Sequence, residues 1–311
     1  MAQYVFAVDL GGTTVKLGLF DPEGNVLDKW EIVTRKENGG ELILPDIAES
    51  IKKKAEEKNI AKEEVLGVGI GVPGPVDSKG TIYKAANLGW GVFNVSEKLG
   101  ELTGFSVKTG NDANVAALGE MWKGGGKGYS SIVAVTLGTG VGGGVIVEGK
   151  LIAGSTGAGG EIGHIHVEDN ETIPCGCGNK GCLEQYTSAT GITRLANERL
   201  AKDDKPSVLR EGEVSAKTVF DAVKAGDELA IEVAEVFGMY LGKGLATVAC
   251  VVNPEAFVIG GGVSKAGEVL FDYIEKNYKA FVFHGARDAK FCLATLGNDA
   301  GIFGAAKLVL E

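Results

Sequence analysis

The chain has 311 residues, 44% of them hydrophobic and 23% charged, with a net charge of −10, the balance of a globular protein with a sizeable core. That acidity excludes a basic nucleic-acid surface, and a length about twice that of a typical domain points to two domains or one elaborated one. Five cysteines, an odd number, argue against a disulfide scaffold; with no basic leader before VFAVDLGG and no apolar run of roughly 18 residues, a cytoplasmic protein without a membrane partner is expected.

Residues 4–9 (YVFAVD) predict a buried strand, GGTT a turn, and 15–20 (VKLGLF) a return strand. Asp21 to Asn25 form a second turn, and 26–33 continues the meander. The period over 41–58 predicts a helix. Its KKKAEEK run pairs Lys52 with Glu56 and Lys53 with Glu57 at i,i+4, as a solvated face does. VLGVGIG (65–71) reads as a buried strand ending in the turn VPGP, and FSVKTG as another that leads into a helix. Residues 130–149 repeat the order strand, Gly/Thr turn, strand. Helices follow over 185–200, 215–225 and 228–252, then AFVIGGG (256–262) as a buried strand, then a last helix over 300–310. LGGTTVKLG at 10–18 and LGTGVGGGV at 137–145 are two versions of one device, about 127 residues apart. The pattern is that of an α/β protein of two similar domains, each opening on a Gly/Thr hairpin.

DLGGTTVK sets Asp9 at a strand end, Gly11 and Gly12 in the turn, then Thr13, Thr14 and Lys16. Glycines let backbone approach a ligand, and successive turn N–H groups form an anion-binding nest. The two hydroxyls can donate to phosphate oxygens, and Asp9 can hold magnesium directly or through water. An ordinary Gly-rich hairpin fits these residue types equally well. The segment is neither a P-loop nor a dinucleotide fingerprint. The second turn, Gly138-Thr139-Gly140, favours a nucleotide gripped from two sides of a cleft.

The stretch GEIGHIHVEDNETIPCGCGNKGCLE holds Cys175, Cys177 and Cys182 within eight positions. Three thiolates and one histidine make a tetrahedral Cys3His zinc shell, closed to substrate and therefore structural. Spacing leaves both His164 and His166 open as the fourth ligand. Cys250 and Cys292 lie in apolar runs and read as small core residues. Asn111-Asp112 enters the helix ANVAALGE, where an Asp ordinarily serves as an N-cap.

The D-x-G-x-T-x-x-K hairpin, the G-T-G turn and the VIGGG strand end resemble the superfamily of sugar kinases, actin and heat-shock chaperone ATPases. GEIGH followed by CGCGNKGCLEQY, with GNDANVAALGE at 110–120, resembles the ROK family within it (repressors, open reading frames and kinases), and its glucokinases above all. The resemblance runs from Asp9 to about Gly262. It implies two actin-like (ribonuclease H-like) domains with a cleft between them; the expected division is 1–111 plus 300–311 for the smaller and 112–299 for the larger, which carries the zinc loop. It implies ATP with Mg2+, a hexose as substrate and a structural Zn2+. Asp112 is then the base that takes the proton of the sugar 6-hydroxyl. Asn87, Asn111, Glu161, His164 and Glu184 bind other hydroxyls, and Gly260, Gly261 and Gly262 let the adenosine approach. His164 becomes the fourth zinc ligand, with His166 left at the surface or beside the site. A homo-oligomer, dimer or tetramer, is expected.

Other readings follow from the same resemblance. The substrate could be N-acetylmannosamine, N-acetylglucosamine, mannose or fructose. A sugar-responsive repressor would need an added DNA-binding segment before Asp9. An assembly or chaperone ATPase would leave the sugar and zinc residues without a role.

Overall fold

In the computed structural model, which describes residues 3–311, the first apolar hairpin is β1 (Tyr4–Leu10) and β2 (Thr14–Phe20), continued by the edge strand β3 (Val26–Val33). β4 (Val65–Val72) lies parallel beside β1. The two-residue strands β5 (Thr81–Ile82) and β6 (Phe93–Asn94) pair with each other, and β7 (Val107–Asn111) lies parallel beside β4. The first sheet therefore reads β3-β2-β1-β4-β7. The second hairpin is β8 (Ile132–Leu137) and β9 (Val141–Val147), extended by β10 (Lys150–Leu151) on one side and by β11 (Ala256–Gly260) and β12 (Lys290–Leu293) on the other. Its order, β10-β9-β8-β11-β12, repeats the first: antiparallel across the hairpin and its outer strand, parallel beyond. The two Gly/Thr motifs are thus equivalent corners of two sheets of the same topology.

The strands differ as their positions require. β1 and the centre of β4 are buried almost throughout, as central strands covered on both faces are. β3, at an edge, has no buried residue and shows an exposed Val33.

The helices are α1 (Glu37–Gly40), α2 (Ile43–Glu57), α3 (Val95–Thr103), α4 (Asp112–Lys123), α5 (Glu184–Thr187), α6 (Ala189–Leu200), α7 (Ala216–Lys224), α8 (Glu228–Val252), α9 (Val269–Phe281) and α10 (Ala300–Leu310). α3, α9 and β12 lie in stretches to which the sequence reading assigns no element. On α2 the expected Lys52–Glu56 and Lys53–Glu57 pairs are absent from the ion pairs of the described residues. Instead Lys54 meets Glu57, and Lys54 and Lys58 both reach Asp28 on β3. Lys54 and Lys58 tie helix to sheet, while Lys52, Lys53, Glu56 and Glu57 lie exposed on the solvated face.

By length and composition alone α8 could cross a membrane, a test that core helices also pass. Half of its apolar window is buried in the fold, and Leu229, Val233, Phe237, Leu241 and Leu245 belong to the core that also holds Val133, Val135 and Phe257. It packs as a core helix.

The last helix, α10, brings the halves of the site together. It crosses α4 at glycines: a Cβ at Gly304 would overlap the Val115 carbonyl oxygen, and one at Gly119 the carbonyl oxygen of Ala300. At the start of α10, Gly301 lies directly against the Asp9 carboxyl group, where a Cβ would collide. The N-terminus of α4 and the end of β1 are thereby held in register.

Candidate active site

Asp9 is the penultimate residue of β1 and faces Lys16 across the hairpin. The turn closes by a bond from Gly11 N to the Thr14 carbonyl oxygen (3.1 Å), and a Cβ at Gly11 would lie 2.8 Å from that oxygen, so a side chain there is poorly tolerated. Thr34 braces the turn from outside, donating its hydroxyl to the Gly11 carbonyl and its N–H to the Thr13 carbonyl. Thr13 is exposed and Thr14 half-buried. Lys16 Nζ donates to the Asn298 carbonyl oxygen at 2.9 Å.

Burial pushes the Asp9 carboxyl up to about 6 from 3.8; Lys16 opposes this, and the nearby Asp112 charge adds to it. A group raised on folding stabilises the native state fully below its unfolded value of 3.8, and that contribution is lost as pH rises through about 6. In magnesium-free buffer, wild-type stability should fall across this interval by ~1–2 kcal/mol more than that of Asp9→Asn, allowing for the partial exposure of the group. Urea unfolding at the two ends of the interval checks this, and parallel pH profiles would count against it.

At the start of α4 the residue types alone favour Asp112 as the helix cap. The structure makes Asn111 the cap: its Oδ1 accepts from Asn114 N at 3.2 Å while its Nδ2 donates to the Gly74 carbonyl at 3.1 Å. Asp112 is the first helical residue. Its Oδ1 accepts only the adjacent Ala113 N–H (2.8 Å) among the described hydrogen bonds. Burial raises the Asp112 pKa, with Ala113 N–H opposing and the Glu161 charge adding. Asp9, Asp112 and Glu161 therefore share one electrostatic neighbourhood, built from three segments far apart in sequence. Asn87 sits exposed on a 3-10 turn, its Nδ2 3.9 Å from where a Cβ at Gly12 would be, so it faces the first hairpin.

Glu161 precedes and His164 ends a 3-10 turn, Ile162–His164, in which residues three apart lie nearly one above the other. His164 Nδ1 is 3.8 Å from Cys175 Sγ, and Cys177 Sγ is 3.7 Å from Cys182 Sγ. The four ligand atoms all lie within 4.8 Å of one another. The edge of a tetrahedron with metal–sulfur bonds of ~2.3 Å is about 3.8 Å, so residue types and spacing both fit zinc. All five cysteines are free thiols; contrary to the expectation of core residues, Cys250 is exposed and Cys292 only half-buried. His166 stands apart, exposed, with Nε2 on Asp169 (2.8 Å) and Nδ1 on the Lys180 carbonyl (3.0 Å). Burial and the neighbouring cysteines push the Cys182 thiol up to about 12, so metal uptake must displace a proton there.

Glu184 joins these parts. Its Oε1 accepts from Cys175 Sγ at 3.2 Å and its Oε2 from Val141 N at 3.1 Å, against the Gly138–Gly140 turn. A Cβ at Gly140 would collide with that Oε2. The turn is itself closed from Gly138 N to the Gly140 carbonyl (2.9 Å), and the Thr139 carbonyl accepts from the Thr190 hydroxyl (3.0 Å). Beyond the hairpin a cavity of about 570 Å³ is lined by Thr136, Gly260, Gly261, Gly262, Thr295 and Asn298, among others. Gly261 has φ +86° and packs on the Leu137 carbonyl at the end of β8, a backbone only glycine adopts readily.

Residues 5–311 match the ROK family throughout. The chain belongs to the ROK family. It is 44% identical to a glucokinase of Halalkalibacterium halodurans over 99% of this chain and 96% of the relative. Among solved structures it is similar to a ROK family glucokinase from Streptomyces griseus in complex with glucose and AMPPNP (34% identity, TM-score 0.74, 98% of each chain). It is also similar to a ROK hexokinase from Thermus thermophilus (32% identity, TM-score 0.81, 98% of this chain and 97% of that one). The two matching sheets are the two halves of this family's actin-like fold.

Sequence reasoning missed three features. These are the cap at Asn111, the second contact of Glu184, and a cluster that braces the cysteine loop. In that cluster Glu171 accepts from the Tyr186 hydroxyl (2.7 Å) and pairs with Arg194 (3.0 Å), while Tyr186 stacks on Tyr240 with centroids 3.9 Å apart. The preference for Asn at N-caps is a signal for the first; the others carry no local signal.

Proposed function

We propose that this ROK protein is an ATP-dependent hexose kinase that transfers the γ-phosphoryl group of ATP to the 6-hydroxyl of glucose, giving ADP and glucose 6-phosphate. The observation that carries the reading is Asp112: a carboxylate not needed as the helix cap, raised above the usual range by burial, and close enough to Glu161 and Asp9 for their charges to interact. The likeness to glucokinases along the whole chain supports the substrate.

In this reading Asp112 accepts the proton of the 6-hydroxyl as that oxygen attacks the γ-phosphorus. Its raised affinity for protons suits that task. Asn87, Asn111, Glu161, His164 and Glu184 orient the sugar through its other hydroxyls, and such positioning supplies much of the rate in phosphoryl transfer. The backbone of Gly11, the N–H groups of Gly12 and Thr13, and the hydroxyls of Thr13 and Thr14, with Lys16, face the phosphates from one side. Gly138, Thr139 and Gly140 face them from the other, with Gly261 and Gly262 beside the adenosine. Magnesium bound with ATP would offset charge on the phosphate oxygens, with Asp9 as its carboxylate. Zinc would be held by His164, Cys175, Cys177 and Cys182 and, with its shell full, would supply only structure. The division at 1–111 with 300–311 and 112–299 is part of this proposal, as are a cytoplasmic location and assembly as a dimer or tetramer.

An ADP-release assay over a panel of hexoses tests the reading. Glucose should give the highest kcat/KM. A preference for N-acetylmannosamine, N-acetylglucosamine, mannose or fructose would keep the kinase and overturn the substrate. Sugar binding without ADP release would favour a regulator.

A further inference from the structure

We infer that Glu120 is a positioning residue for the nucleotide: its buried carboxylate ties the far end of α4 to the loop 295–298, which walls the 570 Å³ cavity and holds Lys16. The inference rests on the kinase reading above and adds a residue to it.

Glu120 lies in α4 and is only 4% exposed. A carboxylate near a helix C-terminus faces the negative end of the helix, where cations are favoured. Its burial there therefore requires strong donors. Three main-chain N–H groups provide them: Gly125 N (2.9 Å) and Thr295 N (3.0 Å) donate to Oε2, and Leu296 N (2.9 Å) donates to Oε1. The glycines after α4 are shaped around this group. A Cβ at Gly124 would collide with Glu120 Oε2, and one at Gly125 with the Leu293 carbonyl oxygen.

What the carboxylate holds is more informative than how it is held. Thr295 and Leu296 follow β12 and begin the loop that runs through Gly297 and Asn298 into α10. Glu120, Thr295, Gly297 and Asn298 all line the cavity that Gly260 to Gly262 border. Asn298 then accepts from Lys16 Nζ, the lysine of the first hairpin. One carboxylate thus links the helix that begins with Asp112, the cavity wall and the phosphate-facing hairpin. A merely structural Glu120 would stabilise the fold without setting nucleotide affinity.

Two variants separate these roles. Glu120→Gln keeps the shape but turns an N–H donor toward donors. Gly124→Ala leaves Glu120 in place chemically, and its Cβ would press on both the carboxylate and the Cα of Glu120, so it displaces that side chain. Removing charge-assisted bonds from a buried group should weaken ADP binding by about tenfold or more in Glu120→Gln, and by a smaller factor in Gly124→Ala. Glucose affinity measured without nucleotide should stay unchanged in both. Titration calorimetry reads both affinities, and thermal melts establish that each variant is folded. Folded variants with lower melting temperatures but wild-type ADP affinity would overturn the inference. If the variants do not fold, amide exchange in the wild-type protein decides: ADP should slow exchange at Thr295 and Leu296, and unchanged exchange there overturns it. Wild-type protein that binds no ADP overturns the kinase reading instead, so the two failures are distinct.

Discussion

Asp112→Asn should lower kcat by roughly 10²–10⁴-fold, the contribution of a positioned general base, while glucose affinity changes little. Asparagine keeps the size of the side chain and can still bond a hydroxyl, but it cannot take the proton. Asn111 already caps α4 through the Asn114 N–H, so the substitution leaves the cap intact and should cost little stability. The wild-type rate should also fall toward acid pH as Asp112 protonates. Since burial and Glu161 raise its pKa, that fall should begin above the usual carboxylate range, and the variant's residual rate should lack it. Near-normal turnover in the folded variant would refute the assignment, whatever its effect on stability.

Cys177→Ala should remove the metal and, with it, most activity. The purified wild-type protein is expected to hold about one zinc per chain, as one Cys3His shell requires. Cys177 is exposed, whereas Cys182 is 1% exposed, so the change at 177 opens no core cavity and isolates the metal's part. The link to the sugar is short: Cys182 precedes Glu184 by two residues, so the metal ligands fix the backbone that presents Glu184, whose Oε2 holds Val141 N. The Cys175 thiol that donates to Glu184 Oε1 without metal gives up its proton to become a ligand. Loss of support of this kind typically costs 10–100-fold, and kcat/KM should fall by about that much. The Glu171–Arg194–Tyr186 cluster braces the same loop without metal, so the variant should remain folded. Metal analysis finding no zinc in fully active, unchelated protein would contradict this account.

Local pattern made the sheets and the metal loop readable. The β1–β2 and β8–β9 hairpins announce themselves by apolar runs broken at Gly/Thr turns, and Cys175, Cys177 and Cys182 cluster within the sequence itself. What stayed hidden depends on distant partners. Glu120 meets Thr295 and Leu296 across 175 and 176 positions, and in the sequence it is one more glutamate at the end of a helix. Glu184 reaches Val141 across 43 positions. The cap was misplaced by one residue because Asn and Asp serve there almost equally well. α8 shows the opposite difficulty: its composition permits a membrane helix, and only packing against β8 and β11 residues identifies it as core.

The most direct test of the central claim is the position of the transferred phosphoryl group. Wild-type protein is incubated with ATP, magnesium and glucose, and the product is resolved by phosphorus–proton correlation NMR. The account predicts one sugar phosphate per ADP, with phosphorus coupled to the protons on carbon 6, and no turnover of 6-deoxyglucose, which lacks the hydroxyl Asp112 would deprotonate. Phosphate on another hydroxyl, or ADP formed without a sugar phosphate, would contradict it.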